Sequence, residues 1–443
     1  MDISIEQHLE NLEHIIRSTG STLEGNCFYM HETFDRHENL KPKQRNLSLA
    51  ATKATKILEI GFNAGHSALL FLLANPECTV LSFDLGDHAY AIHCVNYLQE
   101  HFPGRLNAIW GDTRETLPQF AVNKMGDVVF DLIHIDGGHE KDLVRNDVNY
   151  TRFLSNRETL VIYDDIWLPH VGSIYLEELS GVLETVNGVF ERTPMYSHQL
   201  CRFKKPSLAL CSLVLGKEFR EVTKYSLLSK MHYCIKHNYD LIVDHSVYDD
   251  SRPRAWSKIK LLLKYLSSYD YLFWVDADAY IMNMEHSLNG FILANGLIQD
   301  TSILVSYDWK MMNTGVMLIR NSDFSREFLT SVYNHGDMDV NGNWEQTAFI
   351  QQYEDDVLNS QSHIKSIYHA DYNSYWFNYQ WGHLIVHFCG CRKLPALQFA
   401  MEPYCPVKQF GESEESFQKR IDWIRYKSFE ESQIKLHYMN GHG

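Results

Sequence analysis

YDYLFWVDADAYIM, residues 269–282, is an apolar strand that ends on two carboxylates, Asp276 and Asp278. The carboxyl ends of strands are where open α/β sheets bind ligands. In an extended Asp-Ala-Asp triplet the outer side chains point the same way, so both carboxylates can face one hard divalent cation bridged to a diphosphate. The alternative is an acidic strand end that meets only solvent, and the surrounding sequence has to decide between the two.

A strand and helix series surrounds this stretch. It opens with LALCSLVLG (208–216), a helix over 218–237, DLIVDH (240–245) and a helix over 255–266. After the acidic strand come ILVSY, GVMLIR, helices over 324–333 and from Glu345, and HLIVHFCGCRK (383–393). A charged amphipathic stretch over 413–437 follows, with Phe417, Ile421, Ile424 and Tyr426 as its packing face.

An independent series precedes it. KILEIG, a helix from His66, TVLSFD, a helix from His88, LNAIWGD, VVFDLIHID, a helix from His139 and TLVIYDD imply five parallel strands with crossover helices. GVFER and HQLCRFK, around Pro194, suit an antiparallel closing pair. Ahead of them Ile5, Leu9, Leu12, Ile15 and Ile16 recur at helical spacing until Gly20. A polar segment then runs to about Leu47, with His31, His37 and Glu38 on ordinary surface or at a substrate mouth. The expected fold is α/β with two doubly wound domains: 1–204, carrying a helical segment over 1–50, and 208–443, joined by a short basic link around Pro206.

Composition narrows the functions open to the chain. Its 443 residues exceed one ordinary core, and 45% hydrophobic and 13% aromatic residues are ample for burial. A formal charge of −16 argues against a nucleic-acid partner. No apolar run approaches the ~18 residues of a membrane span, and MDISIEQHLENLEH is unlike a signal peptide, so a soluble, cytoplasmic chain is expected. Nine cysteines without a Cys-x-x-Cys pair fit reduced core residues.

ILEIGFNAGHS (57–67) puts Glu59, Gly61 and Gly65 on a strand-to-helix turn, where glycine lets backbone approach a ligand. Asp84 ends the next strand, placed to accept hydrogen bonds from ribose hydroxyls. With WGDT (110–113) and HIDGGH (134–139), residues 52–204 resemble class I S-adenosylmethionine-dependent methyltransferases, especially the small O-methyltransferase-like group of sugar and catechol modifiers. The resemblance implies that Glu59 to Gly65 form the methionine-binding loop, Asp84 the ribose-binding acid, and Gly111 with Asp112 the adenine-side turn. It also implies an acidic cluster of Asp136, Asp164 and Asp165, which in metal-dependent members holds a divalent cation such as magnesium. His139 stands where catechol-type members have lysine, and is the candidate base. The competing reading is that Asp136 and Asp165 cap helices and His139 begins one.

The context of Asp276 comprises Trp256-Ser-Lys258-Ile259, Asn313-Thr-Gly315, Trp344-Glu345-Gln346 and His387-Phe-Cys-Gly390-Cys391. In this order the set resembles the GT-A-fold galactosyl-, mannosyl- and xylosyltransferase family over 208–393. That family includes plant xyloglucan xylosyltransferases and yeast α-galactosyltransferases. The resemblance implies Asp276, Asp278 and His387 as ligands to manganese, Asn313 and Gly315 as a turn beside the acceptor, and Gln346 near the anomeric carbon. Lys258 and Arg392 would meet the nucleotide sugar, a UDP-sugar, and transfer would retain anomeric configuration. Two departures are Trp344-Glu345 in place of an acidic pair, and Arg392 in place of lysine. A third is the missing membrane anchor, which points to a glycan built in the cytosol of a bacterium or by a large virus. Trp309, Tyr375, Trp376 and Trp381 could stack on sugar rings.

Together these readings describe a bifunctional glycan-modifying enzyme with O-methyltransferase and glycosyltransferase parts. In the alternative, only one domain is catalytic and the other binds glycan or acts as a scaffold.

Overall fold

The computed structural model describes residues 3–24, 27–30, 33–297, 300–335, 343–391 and 393–440. The chain divides into two compact units, Met1–Lys205 and Pro206–Gly443, and each has its own apolar core. Among the described residues no helix is long and apolar enough to cross a membrane, and all nine cysteines are free thiols.

In the first unit β1 (Lys56–Ile60), β2 (Thr79–Asp84), β3 (Leu106–Trp110), β4 (Leu132–Ile135) and β5 (Leu160–Tyr163) run parallel in the order β3-β2-β1-β4-β5. β6 (Leu183–Thr185) and β7 (Gln199–Phe203) complete the sheet antiparallel, with β7 beside β5. The strands are mostly buried along their length, as in a sheet covered on both faces. The order reverses between β1 and β4, so the carboxyl ends of these two strands flank the crevice where such sheets bind ligands. One polar row crosses this apolar sheet: Glu59 on β1 is register partner to Ser82 on β2 and to His134 on β4.

Among the described residues, the helices that connect and flank the strands are α1 (Ile5–Thr19), α2 (Lys41–Ala51), α3 (His66–Ala74), α4 (Ala91–His101), α5 (Thr113–Lys124), α6 (Lys141–Arg152) and α7 (Pro169–Glu177). Ser4 caps α1 by accepting from Gln7 N, and Gly20 ends it in the left-handed conformation. The helices expected from His88 and His139 begin at Ala91 and Lys141. Two expectations need larger correction. The polar segment running to Leu47 contains α2, whose buried residues Lys43, Asn46, Leu47, Ala50 and Ala51 repeat at helical spacing. GVFER is not a strand. Its Glu191 side chain accepts from Arg45 Nε and Nη2 at 2.9 and 2.7 Å, and its backbone exchanges two 2.9 Å bonds with Asn46, which ties the segment to α2. The edge strand is instead β6, where Leu183 is buried.

The second unit holds a mixed six-stranded sheet in the order β14-β12-β13-β10-β8-β9. Its strands are β8 (Leu208–Cys211), β9 (Asp240–Ile242), β10 (Tyr271–Val275), β12 (Ile303–Tyr307), β13 (Met312–Arg320) and β14 (Ile364–Tyr368). β10 lies parallel to β8 and antiparallel to β13. The main helices are α8 (Lys217–His237), α9 (Ser257–Leu266), α10 (Leu288–Ala294), α11 (Asp323–Asn334) and α12 (Trp344–Glu354). A second, three-stranded sheet orders β11 (Ala279–Ile281), β16 (Ile385–His387) and β15 (Ser374–Tyr375), with β16 central. On the C-terminal helix Glu414–Asn440, Ile424 is buried, but Tyr426 is exposed and does not join the expected packing face.

Candidate active sites

A cavity of about 800 Å³ opens over the carboxyl ends of β1, β2 and β4. Glycine is required where the backbone lines it. A Cβ on Gly61, which sits at φ +92°, would lie 2.0 Å from the Asp136 carbonyl oxygen, and one on Gly65 would lie 2.5 Å from the Phe62 ring. Gly111, at φ +126°, donates to the Asp84 carbonyl oxygen at 2.8 Å, and the neighbouring Asp112 caps α5 by accepting from Arg114 N. Asp84 ties two loops together. Its Oδ2 accepts from Phe62 N and Asn63 N, and its Oδ1 from Gly86 N, all at 2.8 Å. Gly61, Gly65's neighbours Ala64 and His66, Asp84, Gly111 and Asp112 all border the cavity. Glu59 does not: it is fully buried beneath the turn, where it accepts from Ser67 Oγ and Ser82 Oγ at 2.6 Å. Its expected contact with a ligand is corrected to a supporting one, because a residue in mid-strand points into the helix-covered layer.

On the opposite wall, Asp136 follows β4, and Asp164 and Asp165 follow β5. Asp164 is the hub. Lys43 Nζ lies 2.9 Å from its Oδ1, His134 Nε2 lies 3.1 Å from its Oδ2, and Asp165 N donates to Oδ1 at 2.8 Å. Burial alone would lower the pKa of Lys43, but Asp164, Asp136 and Asp165 outweigh it and keep the ammonium charged. Burial opposes protonation of His134 too, yet Asp164 and Glu59 raise its pKa to about 10. Asp164 is correspondingly held well below the usual carboxylate range by Lys43 and His134, against the effect of burial. Asp136 is left over: burial and the adjacent Asp164 push its pKa well up.

Asp165 takes a different partner. Its Oδ2 lies 2.8 Å from His139 Nε2, and its Oδ1 accepts from Trp167 Nε1 at 2.9 Å. The hydrogen bond to Asp165 raises the pKa of His139, with burial opposing. If His139 Nε2–H donates to Asp165, Nδ1 is the ring's free acceptor.

A divalent cation is the group this cluster would be expected to hold. Ligand atoms of His134, Asp136 and Asp164 do lie within 4.8 Å of one another, although Asp165 is not in that group. Two of the three carboxylates already have partners on both oxygens, however. Lys43 and His134 occupy both oxygens of Asp164, and His139 and Trp167 occupy both oxygens of Asp165. The ammonium of Lys43, buried and 2.9 Å from Asp164 Oδ1, fills the place beside that carboxylate which a cation would take. The residues present do not fit a divalent cation, and the ligand set Asp136, Asp164 and Asp165 is corrected to a cluster in which Lys43 is the counter-ion of Asp164 and His139 the partner of Asp165. Sequence reasoning missed Lys43 and His134; the signal for Lys43 was its place on the buried stripe of α2.

In the second unit, the chain turns after Asp278 into β11, whose pairing with β16 sets Ala279 opposite His387. That pairing brings together residues more than a hundred positions apart. His387 Nε2 lies 3.4 Å from Asp278 Oδ1 and 3.9 Å from Asp276 Oδ2, and the three ligand atoms fall within 4.8 Å of one another. Trp274 Nε1 donates to Asp276 Oδ1 at 2.7 Å, which turns Oδ2 toward the histidine. The charge of His387 holds Asp278 below the usual carboxylate range although burial opposes it. His387 Nδ1 lies 3.0 Å from Asn373 Oδ1, whose amide orientation is fixed because its Nδ2 donates to Ser306 Oγ and Asn313 Oδ1. An amide oxygen only accepts, so Nδ1 carries a proton and Nε2 is the nitrogen that faces the two aspartates: protonated it is their counter-ion, and deprotonated it has a lone pair for a cation between them. This set of two carboxylates and one imidazole fits a divalent cation.

Gly315 borders the same point. A Cβ there would meet His387 Cε1 at 2.3 Å and Asp276 Oδ2 at 2.8 Å. Asn313 and Gly315 lie within β13 and not on the expected turn, and Asn313 is buried, accepting from Gly315 N and donating to Tyr375 Oη. Gln346 Oε1 accepts from Thr314 N at 3.0 Å. Lys258, expected on the nucleotide, is buried, with its Nζ 2.7 Å from Glu345 Oε1, 3.5 Å from Asp276 Oδ1 and 3.2 Å from Thr314 O. It thereby braces Asp276 from behind. Arg392 lies outside the described residues. Of the four aromatics expected to stack on sugars, Tyr375 is buried, with its hydroxyl donating to Asp308, whereas Trp309, Trp376 and Trp381 are exposed.

Residues 215–397 match the model of the galactosyl transferase GMA12/MNN10 family, and residues 58–166 match that of a methyltransferase domain. Galactomannan galactosyltransferase 1 of Cyamopsis tetragonoloba is 28% identical over 110 residues, 23% of this chain and 25% of that protein. Xyloglucan 6-xylosyltransferase 1 of Arabidopsis thaliana is 30% identical over 112 residues, 24% of each chain. The chain thus spans about a quarter of the length of the curated relatives it matches. Similar solved structures include a glycosyltransferase involved in the glycosylation of the major capsid of PBCV-1, at 17% identity and a TM-score of 0.37, covering 44% of this chain and 99% of that one. Another is the O-methyltransferase TomG from Streptomyces achromogenes in complex with SAM, at 16% identity and a TM-score of 0.34, covering 45% of this chain and 91% of that one. The chain is a two-domain fusion, its first part resembling class I methyltransferases and its second resembling the GT-A-fold galactosyl-, mannosyl- and xylosyltransferases.

Proposed function

We propose that the protein is a bifunctional glycan-modifying enzyme, which transfers a sugar from a UDP-sugar to a glycan acceptor in its second unit and O-methylates a sugar hydroxyl in its first. The observation that carries this reading is the convergence of Asp276, Asp278 and His387, with the tautomer of His387 set by Asn373. Manganese held by these three residues would supply charge neutralisation to the departing nucleotide diphosphate. Gly315 keeps the approach to them free of a side chain, and Lys258 with Trp274 fixes the rotamer of Asp276. The amide of Gln346 on α12 is anchored on Thr314, the neighbour of Gly315. Exposed Trp309 offers a face to a sugar ring of the acceptor.

In the first unit the glycine turns and Asp84 form the cradle for S-adenosylmethionine, which supplies an electrophilic methyl group. His139 Nδ1 takes the proton of the acceptor hydroxyl as its oxygen attacks, and Asp165 stabilises the imidazolium so formed. Joining the units on one chain raises the effective concentration of one site's product at the other, which favours a shared glycan substrate. The test is to incubate the full chain with manganese and a panel of nucleotide sugars, and to measure nucleotide release and thermal stabilisation. Release and stabilisation by one UDP-sugar support the reading. Neither effect with any nucleotide sugar rejects it.

A further inference from the structure

The acidic cluster of the first unit contains its own cations, and they come from opposite sides. Lys43 reaches Asp164 from α2, outside the sheet, with side chains 5% and 0% exposed, and His134 reaches it from within β4. Asp164 Oδ1 also accepts from Asp165 N, so this oxygen already has two donors, and His134 holds the other. Lys43 is not a surface lysine that has folded inward. It stands first in the buried series Lys43, Asn46, Leu47, Ala50 and Ala51, and Asn46 is itself locked to the backbone of Glu191. The ammonium is therefore held by a rigid helix, and withdrawing it would leave a buried carboxylate uncompensated.

We propose that Lys43 is a built-in counter-ion standing in the position of a divalent metal, so that the first unit binds its methyl donor and orients its acceptor without a metal ion. Lys43 is then the counter-ion of Asp164, whose other oxygen is held by His134, and Asp136 remains on the cavity wall as the acceptor for a neutral donor such as a sugar hydroxyl. Proton removal falls to His139, which is held by the Asp165 carboxylate. The naming of the donor rests on the function proposed above.

The test counts bound manganese by electron paramagnetic resonance in the full-length chain and in an Asp276→Asn, Asp278→Asn double variant, which leaves the first unit untouched. The double variant is expected to bind no manganese up to millimolar metal while its melting temperature still rises with S-adenosylmethionine. One ion retained there, and lost on further substitution Asp136→Asn, would overturn the proposal. A full-length chain that binds none upholds it, and counts instead against the metal site of the second unit. In the double-variant background, Lys43→Met should open the cluster and gain one bound ion at least tenfold tighter than before. A Lys43→Met chain that is still stabilised by S-adenosylmethionine but gains no ion would overturn the role given to Lys43. The count on the double variant decides the proposal even if Lys43→Met does not fold.

Discussion

Asn373 accepts the Nδ1 proton of His387 at 3.0 Å and so turns Nε2 toward Asp278, 3.4 Å away. Asn373 is itself held by bonds to Ser306 and Asn313, which makes the ring orientation a property of the fold. Asn373→Leu is expected to weaken manganese binding about 10- to 100-fold, the scale for losing the outer partner of a ligating histidine. Asn373→Asp keeps an acceptor and should lose much less. Titration of both variants by calorimetry checks this, and equal affinities would contradict it.

Gly315→Ala should abolish nucleotide-sugar turnover while leaving the first unit intact. The added carbon would sit 2.3 Å from the His387 ring, so the ring must move out of line with the aspartates. Overpacking of this kind costs about 1–3 kcal/mol, which the second unit can survive. Kinetics and melting of the variant separate the two effects, and wild-type turnover would refute the placement of this residue.

Asp84→Ala removes the acceptor for three backbone N–H groups as well as the group expected on the ribose. Affinity for S-adenosylmethionine should fall by roughly 1.5–3 kcal/mol, the scale of a charged hydrogen bond, together with the melting temperature of the apo chain. Calorimetry showing unchanged affinity would reject Asp84 as part of the cradle.

These residues differ in how visible they were in the sequence. Asp276, Asp278 and His387 could be read because each sits in a short motif at the end of an apolar strand, and the strands themselves are continuous hydrophobic runs. Their supports could not. Asn373 is an unremarked residue before a two-residue strand, and only the β15–β16 pairing brings it to His387. Lys43 meets Asp164 across 121 positions, and no local pattern pairs them. Its helix was hidden by lysines, arginine and asparagine in the first two turns, yet the stripe Lys43, Asn46, Leu47, Ala50 and Ala51 has the helical period. Lys258 was singled out by its motif, but its burial behind Asp276 depends on Glu345, which a motif cannot locate in space.

Methyl transfer should depend on pH through His139. Its pKa is raised above the ordinary 6.5 by Asp165, so it keeps its proton to higher pH. A base must be unprotonated, and the rate should therefore rise with pH through that raised value. Asp165→Asn removes the charge that favours the imidazolium, so the rising limb should move to lower pH while the maximum rate drops. A limb at the same pH in both proteins would exclude His139 as the base.

The most direct measurement of the two-enzyme reading compares the full chain with the Asp276→Asn, Asp278→Asn double variant. Each is assayed for manganese-dependent release of UDP from the preferred UDP-sugar and, in parallel, for S-adenosylmethionine binding. The account expects release by the unaltered chain, its loss in the double variant, and the same methyl-donor affinity in both, because the two sites stand in separate cores. Release at an undiminished rate by the double variant would contradict it.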